Sequence, residues 1–299
     1  MSAKDILRTL IPSAVLAWNR RRKKTQVRRA LTKKKDSGET WTKARLVDSL
    51  RAAGVQEGTD LLVHSSMSAI GYVEGGPKTV VDALREVIGP NANLLMPTSP
   101  VTTLQALHPQ EIFNVVETPS KMGAITEYFR TQVATERSAH PLEPVAVDGP
   151  DALMYVKGHH TDGTPYGQQS PWMKHLNRGG QLLYIGTTLI NSGTSLHAVE
   201  DAIGWKSFSF PIYLERSKTF PIQLKDGRNV TVVTKCHNPE VSALRKCDGL
   251  IPLLETKGAL TRVTIGEAPA LLANAKAFKK VLLEAYKENG TTMYTPQGS

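Results

Sequence analysis

The sequence predicts an α/β fold, a central mixed sheet flanked by helices with an additional antiparallel strand region in the C-terminal third. Three observations lead to it. Segments with apolar residues at helical spacing alternate with short apolar runs from residue 40 to about residue 203. Glycine or proline stands at many of the junctions between them. From Ser207 onward the texture changes to short runs joined by tight turns, which points to antiparallel pairing.

Taken in order, Thr40 is expected to cap a helix bearing Leu46, Val47 and Leu50, which Gly54 stops before a strand at 61–63. Helical periodicity at 79–87 is broken by Gly89 and Pro90, ahead of a strand at 94–96 that ends at Pro97. Helices are expected near 123–131 and 170–177, then a strand at 181–185 and a helix near 195–202. Short strands are expected at 207–214, 219–224 and 228–234, with Asp226 and Gly227 turning the last pair, and a closing helix at 269–288. Residues 39–299 read as a single α/β domain preceded by a tail or helix over 1–38.

A chain of 299 residues, 40% of them hydrophobic, can fill a substantial core. Cys236 and Cys247 form no closely spaced pair, so neither a disulfide framework nor a zinc ribbon is implied, and a cytoplasmic setting fits. The net charge of +10 belongs to one end. Residues 1–36 hold 12 Lys/Arg against 2 Asp/Glu, whereas the rest is balanced at 25 of each sign. The body therefore carries no electrostatic footprint for a nucleic acid. Within the tail, Ile6, Leu7, Leu10, Ile11 and the stretch 14–18 precede the basic block 20–24. That apolar segment is too short to cross a bilayer, and its order is the reverse of a secretory signal. It suits a peripheral anchor at an anionic inner membrane face; a solvated or partner-binding tail is the competing reading.

Three constellations carry chemistry, each in a loop that follows a strand or turn. In the first, a strand delivers His64, Ser65 and Ser66 toward Gly71, Gly75 and Gly76, whose freedom allows close backbone approach to a ligand. In the second, Arg137 and Ser138 precede His140 and Pro141, and a guanidinium fork there suits a phosphate or carboxylate. In the third, His197 and Glu200 share one face of a helix, so the carboxylate can orient an imidazole that takes a proton near neutral pH. The same spacing offers two metal ligands, but no third His or Cys stands at an informative distance in sequence, so no metal is expected. His159, His160, His175 and His237 lie in segments without a polar pattern and read as surface or core residues.

In order and spacing together, these places resemble the aminoglycoside 3-N-acetyltransferase family, the antibiotic N-acetyltransferases. The resemblance runs from about residue 41 to 288. It includes His64 to Ser66 with Gly71, Gly75 and Gly76; 81–84 through Gly89 to 94–98; and Met122 with Gly123. It continues through Arg137 and Ser138 with His140 and Pro141, Gly167 with Ser170 and Pro171, the run 182–186, and the His197 and Glu200 pair. It implies acetyl-CoA as co-substrate, with His64, Ser65, Ser66, Arg137 and Ser138 on the coenzyme side. His197 is implied as the base supported by Glu200, facing a cleft edged by residues 64–66. Direct transfer to an amino sugar is implied, rather than an acyl-Ser65 intermediate.

Where the family commonly has a Ser near position 144, this chain reads Leu142, Glu143, Pro144. Glu143, Asp162, Glu200 and Asp201 are candidates to hold a cationic acceptor, either an aminoglycoside or an amino sugar of a cell-surface glycan. Two other classes compete: a hydrolase using Ser65 or Ser66 with His197, which lacks the Gly-x-Ser-x-Gly elbow, and a non-catalytic membrane or nucleic-acid binding module. Oligomeric state is open.

Overall fold

The computed structural model describes residues 13–101 and 112–298. In chain order the strands are β1 (Thr40–Trp41), β2 (Leu61–Ser65), β3 (Tyr72–Val73), β4 (Leu94–Pro97), β5 (Phe113–Asn114) and β6 (Glu136–Arg137), followed by β7 (Val145–Asp148), β8 (Gln181–Ile185), β9 (Lys218–Gln223), β10 (Asn229–Thr234), β11 (Leu260–Ile265) and β12 (Ala268–Asn274). A seven-stranded sheet runs in the order β11, β12, β8, β2, β4, β7, β6. β2 is parallel to both β8 and β4, and the outer pairings are antiparallel, so the sheet is mixed as expected.

The centre of this sheet is buried on both faces because alternate side chains supply two cores. Leu62, Leu182 and Tyr184 face one apolar cluster, while Leu61, Val63, Leu183 and Ile185 face the other. Helices Lys43–Ala52, Pro77–Ile88 and Ala124–Gln132 close the second face. Helices Pro171–Arg178, Thr194–Ile203 and Ala275–Asn289 close the first. This alternation puts His64 on the same side as Leu62, directly across from Tyr184 in the neighbouring strand.

Several expectations change. Thr42, not Thr40, caps the first body helix by accepting from the Arg45 amide, because Thr40 and Trp41 pair with Tyr72 and Val73. The expected helix at 269–288 begins at Ala275; the apolar run ahead of it is β12, which pairs with both β8 and β11. Gly266 turns β11 into β12 at φ +62°, and a Cβ there would lie 2.6 Å from the Ile70 carbonyl oxygen. Residues 207–214 form no strand: a short 3-10 turn Trp205–Ser207 is followed by Phe208 and Phe210, which pack on Tyr286 and Tyr294. The β9 and β10 hairpin stands as expected, joined on its free edge by β5.

The basic segment is helical over Ser13–Asp36. Its last turn meets the body, where Lys34 pairs with Glu267 and Lys35 lies 5.9 Å from the Tyr72 ring centre. Ile6, Leu7, Leu10 and Ile11 lie outside the described residues. Among the described residues no helix is long and apolar enough to cross a membrane.

Candidate active site

Parallel strands β2 and β8 end side by side, and the loops beyond them meet. Gly186, at φ +64°, lets the chain pass under the first loop; a Cβ there would sit 2.2 Å from the Ala69 Cβ. His64, 7% exposed, stacks on Tyr184 at 5.0 Å and on Trp172 at 5.9 Å. Its Nε2 lies 3.3 Å from Thr194 Oγ1, at the start of the helix that carries His197. The Ser65 hydroxyl is buried without a hydrogen-bond partner among the described residues, and the Ser66 amide donates to the Ile185 carbonyl at 2.8 Å. The first and third constellations are therefore neighbours.

On the helix Thr194–Ile203, His197 and Glu200 are buried, and the imidazole Nδ1 meets Glu200 Oε2 at 2.7 Å. Arg245 lies 3.2 Å from the other nitrogen, Nε2, through Nη1. A guanidinium only donates, so Nε2 accepts and the single proton of the neutral ring sits on Nδ1, where it is donated to Glu200. Burial, and then the charge of Arg245, hold the imidazole well below its ordinary value of 6.5. Burial pushes Glu200 up to about 8, opposed by the same guanidinium. The expectation that the ring faces an open cleft is not met, because His197 is 3% exposed and Arg245 covers its Nε2.

From sequence His237 reads as a bystander, and the structure corrects this. It lies 4.0 Å from His197, ring centre to ring centre, because β10 ends just before it and an isolated bridge pairs it with Tyr213. His197, Glu200 and His237 hold three potential metal-ligand atoms within 4.8 Å of one another, the third donor that no sequence spacing reveals. Arg245, 3.2 Å from the His197 ring, places a positive charge beside this group, which opposes a dication there.

The acidic residues are divided. Glu143 accepts from the Ser99 hydroxyl, and burial pushes it up to about 7 against the pull of Ser99, Tyr166 and Arg245. Asp201 accepts from Thr164 and from Tyr213 at 3.0 Å, and burial raises it to about 7. The Tyr166 ring stacks on His197 at 5.2 Å and its hydroxyl feels Glu143, Arg245 and Asp201, so these groups converge. Asp162 is set apart, accepting from the Gln169 amide at 2.8 Å.

Arg137 and Ser138 do not reach this space. The guanidinium is buried and its donors go to Thr98 Oγ1 at 2.9 Å and to the carbonyls of Thr98, Val115 and Thr118. Burial pushes it down to about 9. The Ser138 hydroxyl accepts from the Val145 amide at 2.9 Å and meets His159 Nδ1 at 2.8 Å. His140 accepts from the amides of Leu142 and Glu143 and stacks on His159 at 4.5 Å. This second constellation is a buried polar post that sets the Glu143 loop, and a ligand grip by Arg137 is corrected accordingly.

The family model described as aminoglycoside 3-N-acetyltransferase matches residues 62–287, most of the chain. The chain belongs to the aminoglycoside 3-N-acetyltransferase family. Aminoglycoside N(3)-acetyltransferase VIII of Streptomyces fradiae is 33% identical over 179 residues, 55% of this chain and 62% of that protein. Enzyme VII of Streptomyces paromomycinus is 32% identical over 186 residues, 57% of this chain and 63% of that protein. The chain thus matches somewhat less than two thirds of the length of these relatives. Among solved structures, AAC-VIa bound to sisomicin is 27% identical with a TM-score of 0.68, covering 83% of this chain and 98% of that one. A mutant of AAC(3)-IVa in complex with a gentamicin is 25% identical with a TM-score of 0.70, covering 83% and 89%.

Several buried histidines of this chain are held neutral, and that has a cost in acid. Burial pushes His64 down to about 3, His159 to about 3 and His175 to about 4, from an ordinary 6.5. A histidine whose folded value is depressed adds stability above pH 6.5, lost as pH falls from 6.5 toward the folded value. Each pH unit in that window removes about 1.4 kcal/mol per histidine, roughly 4 kcal/mol for the three. Glu143, Glu200 and Asp201, raised by burial to about 7, 8 and 7, act in the opposite sense over much of that window, so the histidine share is read as a difference. In urea unfolding at pH 7.5, 6 and 5, the stability of the wild type relative to His175→Gln is expected to fall by about 1.4 kcal/mol per unit below pH 6.5; a pH-independent difference would contradict a buried neutral ring at 175.

Proposed function

We propose that the chain is an acetyl-CoA-dependent N-acetyltransferase acting on an amine of an aminoglycoside-type or related amino sugar, by direct transfer with His197 as general base. The observation that carries this reading is the imidazole itself, whose proton is committed to Glu200 at 2.7 Å while the lone pair of Nε2 points toward Arg245. The named N(3)-acetyltransferase activity of relatives, and the aminoglycosides bound in AAC-VIa and AAC(3)-IVa, support the acceptor class.

An acceptor ammonium is not a nucleophile until it loses a proton. The ammonium first releases one proton to solvent. His197 Nε2 then takes one further proton from the amine nitrogen as that nitrogen bonds to the thioester carbonyl carbon, the carbon–sulfur bond breaks, and the imidazolium returns its proton to the departing thiolate to give the thiol. The carbonyl oxygen gains negative charge during attack and needs a donor already in place. The Ser65 hydroxyl, buried and without a partner among the described residues, is free to donate at the end of β2, although alternation sets it on the face opposite His64. Ser66 fits through its hydroxyl alone, since its amide is bonded to Ile185. Glu143 and Asp201, held near 7 by burial, are partly ionised at neutral pH, and an arriving cationic sugar favours their charged forms. Residues 39–299 act together as the catalytic domain, and Arg137 and Ser138 serve it from within the core.

His197→Ala is expected to lower kcat by about 10²–10⁴ in a thiol-release assay with gentamicin or sisomicin, with coenzyme A affinity preserved by calorimetry. Normal turnover in that variant would remove His197 from the mechanism.

The N-terminal helix adds a location. Trp18 is 58% exposed, and the segment 1–36 holds ten more Lys/Arg than Asp/Glu, so it suits the anionic cytoplasmic face of a membrane, at about 1 kcal/mol per cation near the surface. An enzyme held there meets the amino sugars of surface glycans. The full chain is expected to pellet with vesicles containing phosphatidylglycerol and not with pure phosphatidylcholine; a chain lacking residues 1–36 should lose pelleting and keep acetyl transfer. Equal pelleting with and without the segment would rule out the anchor.

A further inference from the structure

Arg245 belongs to none of the three constellations, yet among the described residues it makes the one side-chain hydrogen bond to the nitrogen that the mechanism needs. It stands between the helix Pro239–Ser242 and the 3-10 helix Cys247–Leu250, outside both, and is only partly buried. Apart from His197, its described hydrogen bond goes to one backbone atom, the Ser242 carbonyl at 2.8 Å. His197, by contrast, is held on several sides: by Glu200 on its own helix at 2.7 Å, by the Tyr166 ring at 5.2 Å and by the His237 ring at 4.0 Å. Of the groups around Nε2, the guanidinium is therefore the one that can leave without unpacking the core.

Two consequences follow from donor chemistry and charge. A guanidinium has no acceptor, so its approach forces the ring proton onto Nδ1 and leaves the lone pair on Nε2, the state a base requires. A cation beside the ring also disfavours imidazolium. The same cation pulls the carboxyls of Glu143 and Glu200 down against burial, favouring their charged forms. Another cation arriving at Nε2 would replace that charge one for one.

We propose that Arg245 is a positioning residue that caps His197 Nε2 in the resting protein, holds the ring in its base-competent tautomer, and is displaced by the ammonium group of the acceptor. This rests on the reading of His197 as base. It explains why the ring is 3% exposed before an acceptor binds. It also assigns the acceptor chemistry at this point: a cationic amine, which takes the place of the guanidinium, and not an anionic group, which would retain it.

The test uses the full-length chain, Arg245→Gln and Arg245→Lys. The charged and titratable groups facing His197 are Glu200, Arg245, His237 and Tyr166, with Tyr294 and Asp201 next to Glu200, and only Arg245 changes. Without acceptor, diethyl pyrocarbonate is expected to modify the His197 peptide in Arg245→Gln, with the partly exposed His160 as internal reference, and to spare it in the wild type. The acid limb of kcat/KM against pH should move up by about one unit in Arg245→Gln, because removal of a nearby cation raises the imidazole pKa. Arg245→Lys, which keeps a donor-only cation, should restore the limb, and KM for gentamicin should not rise in either variant. Unchanged modification of His197 with an unchanged acid limb would overturn the proposal. So would a large rise in KM with kcat preserved, which is the signature of an arginine that grips the acceptor. Loss of the base reading shows separately, as normal turnover in His197→Ala, whatever Arg245 does.

Discussion

One neutral imidazole held between a carboxylate and a guanidinium in a water-poor space sets the terms for the rest of the molecule. Three ionisable groups in such a space cost several kcal/mol each unless their charges and protons are matched. Glu200 gives the ring an acceptor and Arg245 gives it a donor, and the same cation pulls the Glu200 carboxyl down against the burial that raises it to about 8. The sheet bears the burden of keeping them there. Strands β2 and β8, buried on both faces, bring the His64 loop and the His197 helix to one edge, and the stack of His64 on Tyr184 follows from their register.

The surrounding polar residues divide into those that face this space and those that hold it open. Glu143 and Asp201 belong to the first group, poised near neutrality by burial at about 7. Arg137, Ser138, His140 and His159 belong to the second. Their hydrogen bonds tie the end of β4, the β5 segment, the β6–β7 turn and the 159–165 loop together, so the loop that carries Glu143 cannot drift. An arginine beside a proline turn has the same sequence signature whether it grips a ligand or braces a loop. Burial and the carbonyls within reach decide between them.

Much of the fold is legible in the sequence because local pattern and tertiary role agree. The strands at 61–65, 94–97 and 181–185 are short apolar runs between helices, and buried parallel strands have that composition. β12 reads as helix because its alanine- and leucine-rich sequence suits a helix equally well, and only pairing with β8 and β11 makes it a strand. Within the site, His197 and Glu200 can be found since they share one helical turn. Arg245 and His237 cannot: each comes from a loop about 40 or more residues away with no periodicity, and only the packing of the helix against the end of β10 reveals them. The nearest sequence signal is a polar residue type in an otherwise unremarked connection.

The proton on His197 is the point on which everything else turns, and it can be observed directly. Nitrogen-15 spectra of the wild-type chain labelled at histidine, with His197→Gln to assign the signal, are expected to show a neutral ring from pH 6 to 8, protonated at Nδ1 and bare at Nε2. A ring protonated at Nε2, or an imidazolium at pH 7, would contradict it.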